Sequence, residues 1–362
     1  MRIFCYFCIE IRDFHLFNPE HDLALAYGKE GFTPPAAARN LRKGLGFLPA
    51  FWADEGDWVV VDDVEEAELQ ASRFATLLPK VNFCHWKQLG QIARGTDGKP
   101  LIDPWGWNHS LRHALLRAGL DEGALPSREQ LEWVRAISHR RTTINLLETL
   151  VRSVPATIGK RKEAKDLDEV WRWMEQWGRC VVKAPWSSSG RGGRLVDNDG
   201  DPGTLKFVRN TIERQGSIIV EPFYNKVMDF AMEFILDGEK EAKFVGLSVF
   251  HTNRGAYLGN VLAGEDEKWD MLQRVAGRDD MRSLAKVLQR LLGEMCDPYR
   301  GPAGVDMMVV EQEGGRYVHP CVEVNVRRTM GMAAVSVAMR TEGRFKTMAT
   351  DCRGGECQLV LT

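Results

Sequence analysis

Residues 301–331, GPAGVDMMVVEQEGGRYVHPCVEVNVRRTMG, contain two apolar runs turned back on each other at EGG, and the second run alternates by twos. Val322, Val324 and Val326 fall on one face of a strand, and Glu323, Asn325 and Arg327 on the other. Such a strand belongs in a sheet that packs on a core with one face and lines a site with the other. The first run, GVDMMVV, presents Asp306. Two carboxylates and an amide converging from antiparallel strands make a hard oxygen-donor set suited to Mg²⁺ held between protein and nucleotide phosphates. An adjacent arginine steadies a transferring phosphoryl group. The plainer reading makes Asp306 a strand-start cap and Glu323 a solvated partner of Arg327 or Arg328.

Upstream segments bear on that choice. The amphipathic helix DEVWRWMEQWG (168–178) ends at a glycine, and the strand RCVVKAP (179–185) follows it with Lys183. WSSSGRGGRLV (186–196) then offers backbone N–H groups and hydroxyls to phosphate oxygens, with Lys183 as a point charge. It lacks the Gly-Lys-Ser/Thr ending of a Walker A loop and runs into a strand, so by itself it reads equally as a hairpin turn. SIIVEPFYNKVMDFAMEFILDG (217–238) gives a strand bearing Glu221, a break at Pro222, and a second strand with Asp229, Ala231 and Glu233 on one face. KFVGLSVFHTNRGAYLG (243–259) carries His251, Asn253 and Arg254, and the apolar spacing over 269–293 predicts one long helix.

The chain length of 362 residues divides into roughly two domains at about 150 residues each. Lys+Arg 48 against Asp+Glu 50 leaves a formal charge of −2, without the basic field that nucleic-acid binding requires. No apolar run reaches the length of a membrane span, and the first residues lack a cleavage pattern, so the expectation is a cytoplasmic protein. The cysteines lie mostly in apolar segments of a chain that needs no disulfide framework. Cys5 and Cys8 have Cys-x-x-Cys spacing, but no second pair stands nearby, and they are expected to be buried thiols. The 11 Trp are expected mainly in the core, with some lining a cleft or interface.

The first part of the chain alternates strands (3–17 and 57–63) with helical periodicity at 64–78 and 108–119, which predicts a small α/β domain. FNPEHDLALA (17–26) places Asn18, Glu20, His21 and Asp22 after the first strand, where an open α/β sheet meets ligands. Substrate contact and simple helix capping from Asn18-Pro19 both account for it. Two helices are expected within 127–159, followed by an extended Pro-containing segment.

Lys183, the Ser/Gly turn, Glu221, Asp306 and the EVN triplet occur in an order that resembles the ATP-grasp superfamily of carboxylate-amine ligases, over roughly residues 130–335. The resemblance implies ATP held between two α+β lobes preceded by an α/β substrate-side domain. The boundaries would be 1–130, 131–215, 216–335 and a C-terminal extension 336–362. It makes Lys183 the phosphate-contacting lysine and 187–193, with Ser187, Ser188, Ser189, Gly190 and Gly192, the loop over the phosphates. Glu221 and Phe223 take the adenine hinge, and Asp229 or Glu233 the ribose. Asp306, Glu323 and Asn325 become ligands of Mg²⁺ or Mn²⁺, and Arg327 the arginine near the γ-phosphate. The early basic residue, usually lysine, is represented by Arg141 or its neighbour Arg140. Asn18, Glu20, His21 and Arg254 are substrate candidates.

The implied reaction activates a substrate carboxylate as an acylphosphate and joins it to an amine. Two alternatives stand beside it: a small-molecule kinase, and a nucleotide-binding regulatory or scaffold protein without turnover. Expected partners are small carboxylates and amines, with no nucleic acid or membrane, and a homo-oligomer is compatible with the sequence.

Overall fold

The computed structural model describes residues 12–95, 100–187, 192–197, 201–238, 240–253, 256–277 and 281–362. Cys5, Cys8, Ser188, Ser189, Gly190 and Arg254 lie outside them. The described residues divide into two units: those within 12–24, 28–131 and 350–360 form one, and those within 25–27, 132–349 and 361–362 the other.

In the first unit, β1 (Phe14–Leu16), β2 (Trp58–Val61), β3 (Asn82–His85) and β4 (Ile102–Pro104) form a parallel sheet in the order β3-β2-β1-β4. Phe14, Leu16, Val60 and Cys84 pack with Leu111 and Leu115 of the helix His109–Arg117. Residues 17–26 do follow the first strand. Asn18, however, does not cap the helix His21–Tyr27, whose first turn has no side-chain cap. The Asn18 amide instead exchanges two hydrogen bonds with the backbone of Gly106, at 2.9 and 3.3 Å. Glu20 pairs with Arg42 at 2.7 Å, and His21 Nδ1 lies 3.2 Å from the Asn108 amide.

The second unit contains two sheets. β5 (Lys162–Ala164), β6 (Cys180–Lys183), β7 (Gly193–Val196) and β8 (Ile218–Pro222) run antiparallel in the order β5-β8-β6-β7. Val170 and Met174 of Leu167–Trp177, and Val208 of Pro202–Gln215, close one core over Val182 and Val220. The larger sheet is built from β9 (Asn225–Asp237), β10 (Lys243–Asn253), β11 (Ala256–Val261), β12 (Arg300–Gln312) and β13 (Gly315–Asn325), in the order β13-β12-β9-β10-β11. β14 (Thr347–Arg353) joins β11 through its first residues and turns into β15 (Glu356–Leu361).

Two sequence expectations change here. The helix read over 269–293 is two helices, Glu265–Ala276 and Met281–Cys296. Gly277 adopts a left-handed conformation at φ 65° and its N–H closes onto Gln273, which stops the first helix. Cys352 and Cys357 are joined in a disulfide, whereas Cys84, Cys180, Cys296 and Cys321 are buried thiols. The tight turn Gly354–Gly355 between β14 and β15 brings the two sulfurs together, a proximity that strand alternation alone does not disclose. Among the described residues no helix is long and apolar enough to cross a membrane.

Candidate active site

The larger sheet has two chemically different faces because its strands alternate. Phe230, Met232 and Phe234 of β9, Val305, Met307 and Val309 of β12, and Val324 of β13 pack into one core with Leu284, Leu288 and Leu292 from the helix Met281–Cys296. The intervening residues fall on the opposite face. Across it Ala231 is level with Asp306, and Asp306 with Glu323; one step along, Glu233 is level with Gly304, and Gly304 with Asn325. β13 bulges between His319 and Glu323, and Pro320, which has no N–H to give the ladder, sits in that bulge.

Asp306 and Glu323 therefore face each other from neighbouring strands. Burial, with the Glu323 charge beside it, pushes the Asp306 carboxyl up to about 7. Asn325 Nδ2 donates to Asp306 Oδ2 at 3.2 Å, and Arg327 Nη2 donates to Asn325 Oδ1 at 2.8 Å. Glu323 Oε1 accepts from Arg140 Nη2 at 2.5 Å. Among the described residues no group of three His, Cys, Asp or Glu side chains is placed to hold a metal ion.

A second charged cluster lies on the smaller sheet. Lys183 ends β6 and donates to Glu221 Oε2 on β8 at 2.6 Å; Arg161 Nε donates to Glu221 Oε1, also at 2.6 Å. Burial alone would raise Glu221, but Arg161 and Lys183 hold it down at about 2. Burial pushes the Lys183 ammonium below its usual range against the pull of Glu221, with Arg161 and Arg140 adding to the shift. Arg161 also gives Nη2 to the carbonyls of Cys321 and Val322, at 3.0 and 2.7 Å. It therefore fastens the bulge that precedes Glu323 to the Lys183–Glu221 pair.

Arg140 joins the loop to the carboxylates. It sits in the short turn Arg140–Thr142, its Nη1 reaches Ser187 Oγ at 2.9 Å and the Ala184 carbonyl, and its backbone N–H donates to Pro185 O. Arg141 points elsewhere: its side chain is half-exposed and lies 3.7 Å from Glu163. Of the two adjacent arginines, the structure brings Arg140 into the cluster and leaves Arg141 outside it. Ser187 and Gly192 approach so closely that a Cβ at Gly192 would stand 1.8 Å from Ser187 Oγ, which pinches the base of the loop. The Phe223 ring is exposed and carries the Arg179 guanidinium at 4.4 Å.

The two acidic candidates on β9 differ. Asp229 accepts from Lys226 at 2.5 Å and Thr252 at 2.6 Å, at the accessible end of the polar face. Glu233 is wholly buried, and burial pushes it up to about 8 although the Thr329 side chain partly eases its charge. A Cβ at Gly331 would stand 2.2 Å from Glu233 Oε1, so the carboxyl lies under the start of the helix Met330–Thr341. That position is closed to a ribose.

Sequence reasoning missed Arg161, whose neighbourhood GKRKEAK reads as a solvated charge run. His319, which the sequence reading takes as structural beside Pro320, is buried against Tyr224 with ring centroids 5.4 Å apart and held at about 3 by burial. No strand pattern marks either, because both depend on contacts between the two sheets.

No family model matches this chain, and no curated protein matches it. Solved structures do. The chain resembles N5-carboxyaminoimidazole synthetase from Staphylococcus aureus, complexed with ADP, at 11% identity and a TM-score of 0.50, covering 96% of this chain and 84% of the other. It also resembles biotin carboxylase from Campylobacter jejuni in a β,γ-ATP complex, at 13% identity and a TM-score of 0.53, covering 92% and 71%. Likeness at this level of identity is a likeness of fold.

Proposed function

We propose, on the premise that this chain has the ATP-grasp fold, that it is an ATP-dependent ligase which activates a substrate carboxylate and joins it to an amine. The single observation that carries the reading is the facing pair Asp306–Glu323 with Asn325 on the same polar face and Arg327 donating to it, in one unit with the Lys183–Glu221 pair. The nucleotides in the two similar structures support it.

The residues fit a small divalent cation. Asp306 is half-buried beside a second carboxylate and driven towards its neutral form, a situation that a cation among hard oxygen donors relieves. Asp306, Glu323 and Asn325 would hold Mg²⁺, which when bound neutralises charge on the β- and γ-phosphates. Lys183 and Arg140 supply cationic N–H groups towards the phosphates, and the segment opened by Ser187 supplies further donors. Arg327, fixed to Asn325 at 2.8 Å, faces the transferring group and offsets its charge.

In the reaction a carboxylate oxygen of the substrate attacks the γ-phosphorus. The bond to the β,γ-bridging oxygen breaks, and ADP leaves with its electron pair. An amine nitrogen then attacks the acyl carbon, the acyl C–O bond breaks, phosphate departs and the amine proton passes to solvent. The chemistry requires positioning and electrostatics rather than a protein nucleophile.

The test is an ADP-release screen of carboxylates crossed with amino acids and amines, with mass spectrometry of the products. A product containing both substrates supports the ligase; a phosphorylated acceptor with no amine consumed turns the assignment to a kinase. In Asp306→Ala, turnover is expected to fall by about a hundredfold or more with the circular-dichroism spectrum unchanged. ATP-dependent turnover at the wild-type rate in that variant would refute the metal assignment.

A further inference from the structure

Every donor assigned to the cation already has a protein partner. Asp306 accepts from Asn325 at 3.2 Å, Asn325 from Arg327 at 2.8 Å, and Glu323 from Arg140 at 2.5 Å. The third contact differs from the other two in its reach. Asn325 ends the same strand as Glu323 and Arg327 follows it by two residues, whereas Arg140 comes from the turn Arg140–Thr142 and is itself fastened to Ala184 and Ser187, where the loop begins. Its guanidinium is buried, and its Nε is a buried donor with no acceptor among the described residues.

We propose that Arg140 is a positioning residue that couples nucleotide entry to cation binding: it occupies Glu323 while no nucleotide is bound, and the phosphates of an incoming nucleotide draw it away and release Glu323 to the divalent cation. The inference rests on the functional reading above. Arg140 holds Glu323 Oε1, and a guanidinium and a divalent cation drawn to one partly buried carboxylate repel each other, so each weakens the other's hold on Glu323. Phosphate oxygens are the stronger partner for arginine, because they accept the planar fork bidentately and carry more charge than a single carboxylate. The orphaned Nε supplies the extra donor that such an oxygen would meet. Cation alone therefore binds poorly, and nucleotide and cation favour each other's binding reciprocally.

Direct coordination of Mn²⁺ by nucleotide phosphates would also produce that synergy, so the decisive measurement is made without nucleotide. Mn²⁺ is titrated into the full chain and free ion is followed by electron paramagnetic resonance, for the wild type, Arg140→Gln, Arg140→Met and Arg140→Lys. Arg140→Gln and Arg140→Met are expected to bind Mn²⁺ at least about tenfold more tightly than the wild type. Arg140→Lys, which keeps the charge beside Glu323, should stay near the wild type. The proposal is overturned if either neutral variant, folded by circular dichroism, gains no Mn²⁺ affinity, or if Arg140→Lys gains as much as they do.

A parallel titration with Mn²⁺ and ADP separates the two levels of the argument. If the wild type binds Mn²⁺·ADP, Asp306→Asn loses that binding and Arg140→Gln gains nothing without nucleotide, only the coupling fails. If the wild type does not bind Mn²⁺·ADP at all, the functional reading fails with it.

Discussion

At Glu233 burial holds a carboxyl in its protonated form to about pH 8, with Asp306 adding to the shift. The unfolded chain releases that proton near 4.5. The folded form therefore binds more protons between those values, so the stability linked to Glu233 is whole below about pH 4.5 and is lost as pH rises towards 8. One such proton gives a slope of at most about 1.4 kcal/mol per pH unit. Asp306, raised to about 7, acts in the same direction. His319 and His139, held at about 3 by burial, oppose this slope up to about pH 6.5, so thermal melts of the ligand-free protein should lose stability above that pH towards 8, and Glu233→Gln, isosteric and neutral, should remove part of the loss. An unchanged slope in Glu233→Gln would contradict the assignment. At this scale the sequence was informative where strands alternate: period two puts Asp306, Glu323, Asn325 and Arg327 on one face; the first three share it in the structure, and Arg327, just past the end of β13, joins them by donating to Asn325. It was uninformative where a side chain leaves a turn. Nothing in SHRRTT distinguishes Arg140 from Arg141, because which of them turns inward depends on the loop at 184–187 packed against that turn.

Among the elements, the C-terminal hairpin departs furthest from the reading of the sequence. The Cys352–Cys357 bond ties β14 to β15 across a short turn. Closing so small a loop is worth on the order of 2 kcal/mol through the entropy of the unfolded chain. Denaturant unfolding with and without reductant should show a loss of about that size, and Cys352→Ser/Cys357→Ser should match the reduced protein and ignore reductant. A double variant as stable as the oxidised wild type would mean that the bond contributes nothing. The paired helices at 265–276 and 281–296 make the same point in another way. Apolar periodicity continues from one to the other, and only the backbone conformation of Gly277 ends the first. Spacing reports which face is apolar; the angle at which a chain leaves a glycine is not encoded in spacing.

For the whole chain the consequence of the proposed site is thermodynamic. A ligand that binds only the folded form stabilises it by about 2.7 kcal/mol at a hundred times its dissociation constant. Mg²⁺·ATP should therefore raise the melting temperature of the wild type, and Asp306→Ala should lose most of that rise. An equal rise in both would place the nucleotide elsewhere. By itself the sequence determined the strands that carry the candidate oxygen donors and which face of each is polar, because side-chain alternation is a local property of extended backbone. Tertiary structure decided the rest. Arg161 joins Glu221 to the bulge before Glu323, Arg140 holds Glu323 itself, and Glu233 is sealed under a helix start. Each of these is a contact between elements distant in sequence, and only folding sets which charge neutralises which and which carboxyl is sealed from water.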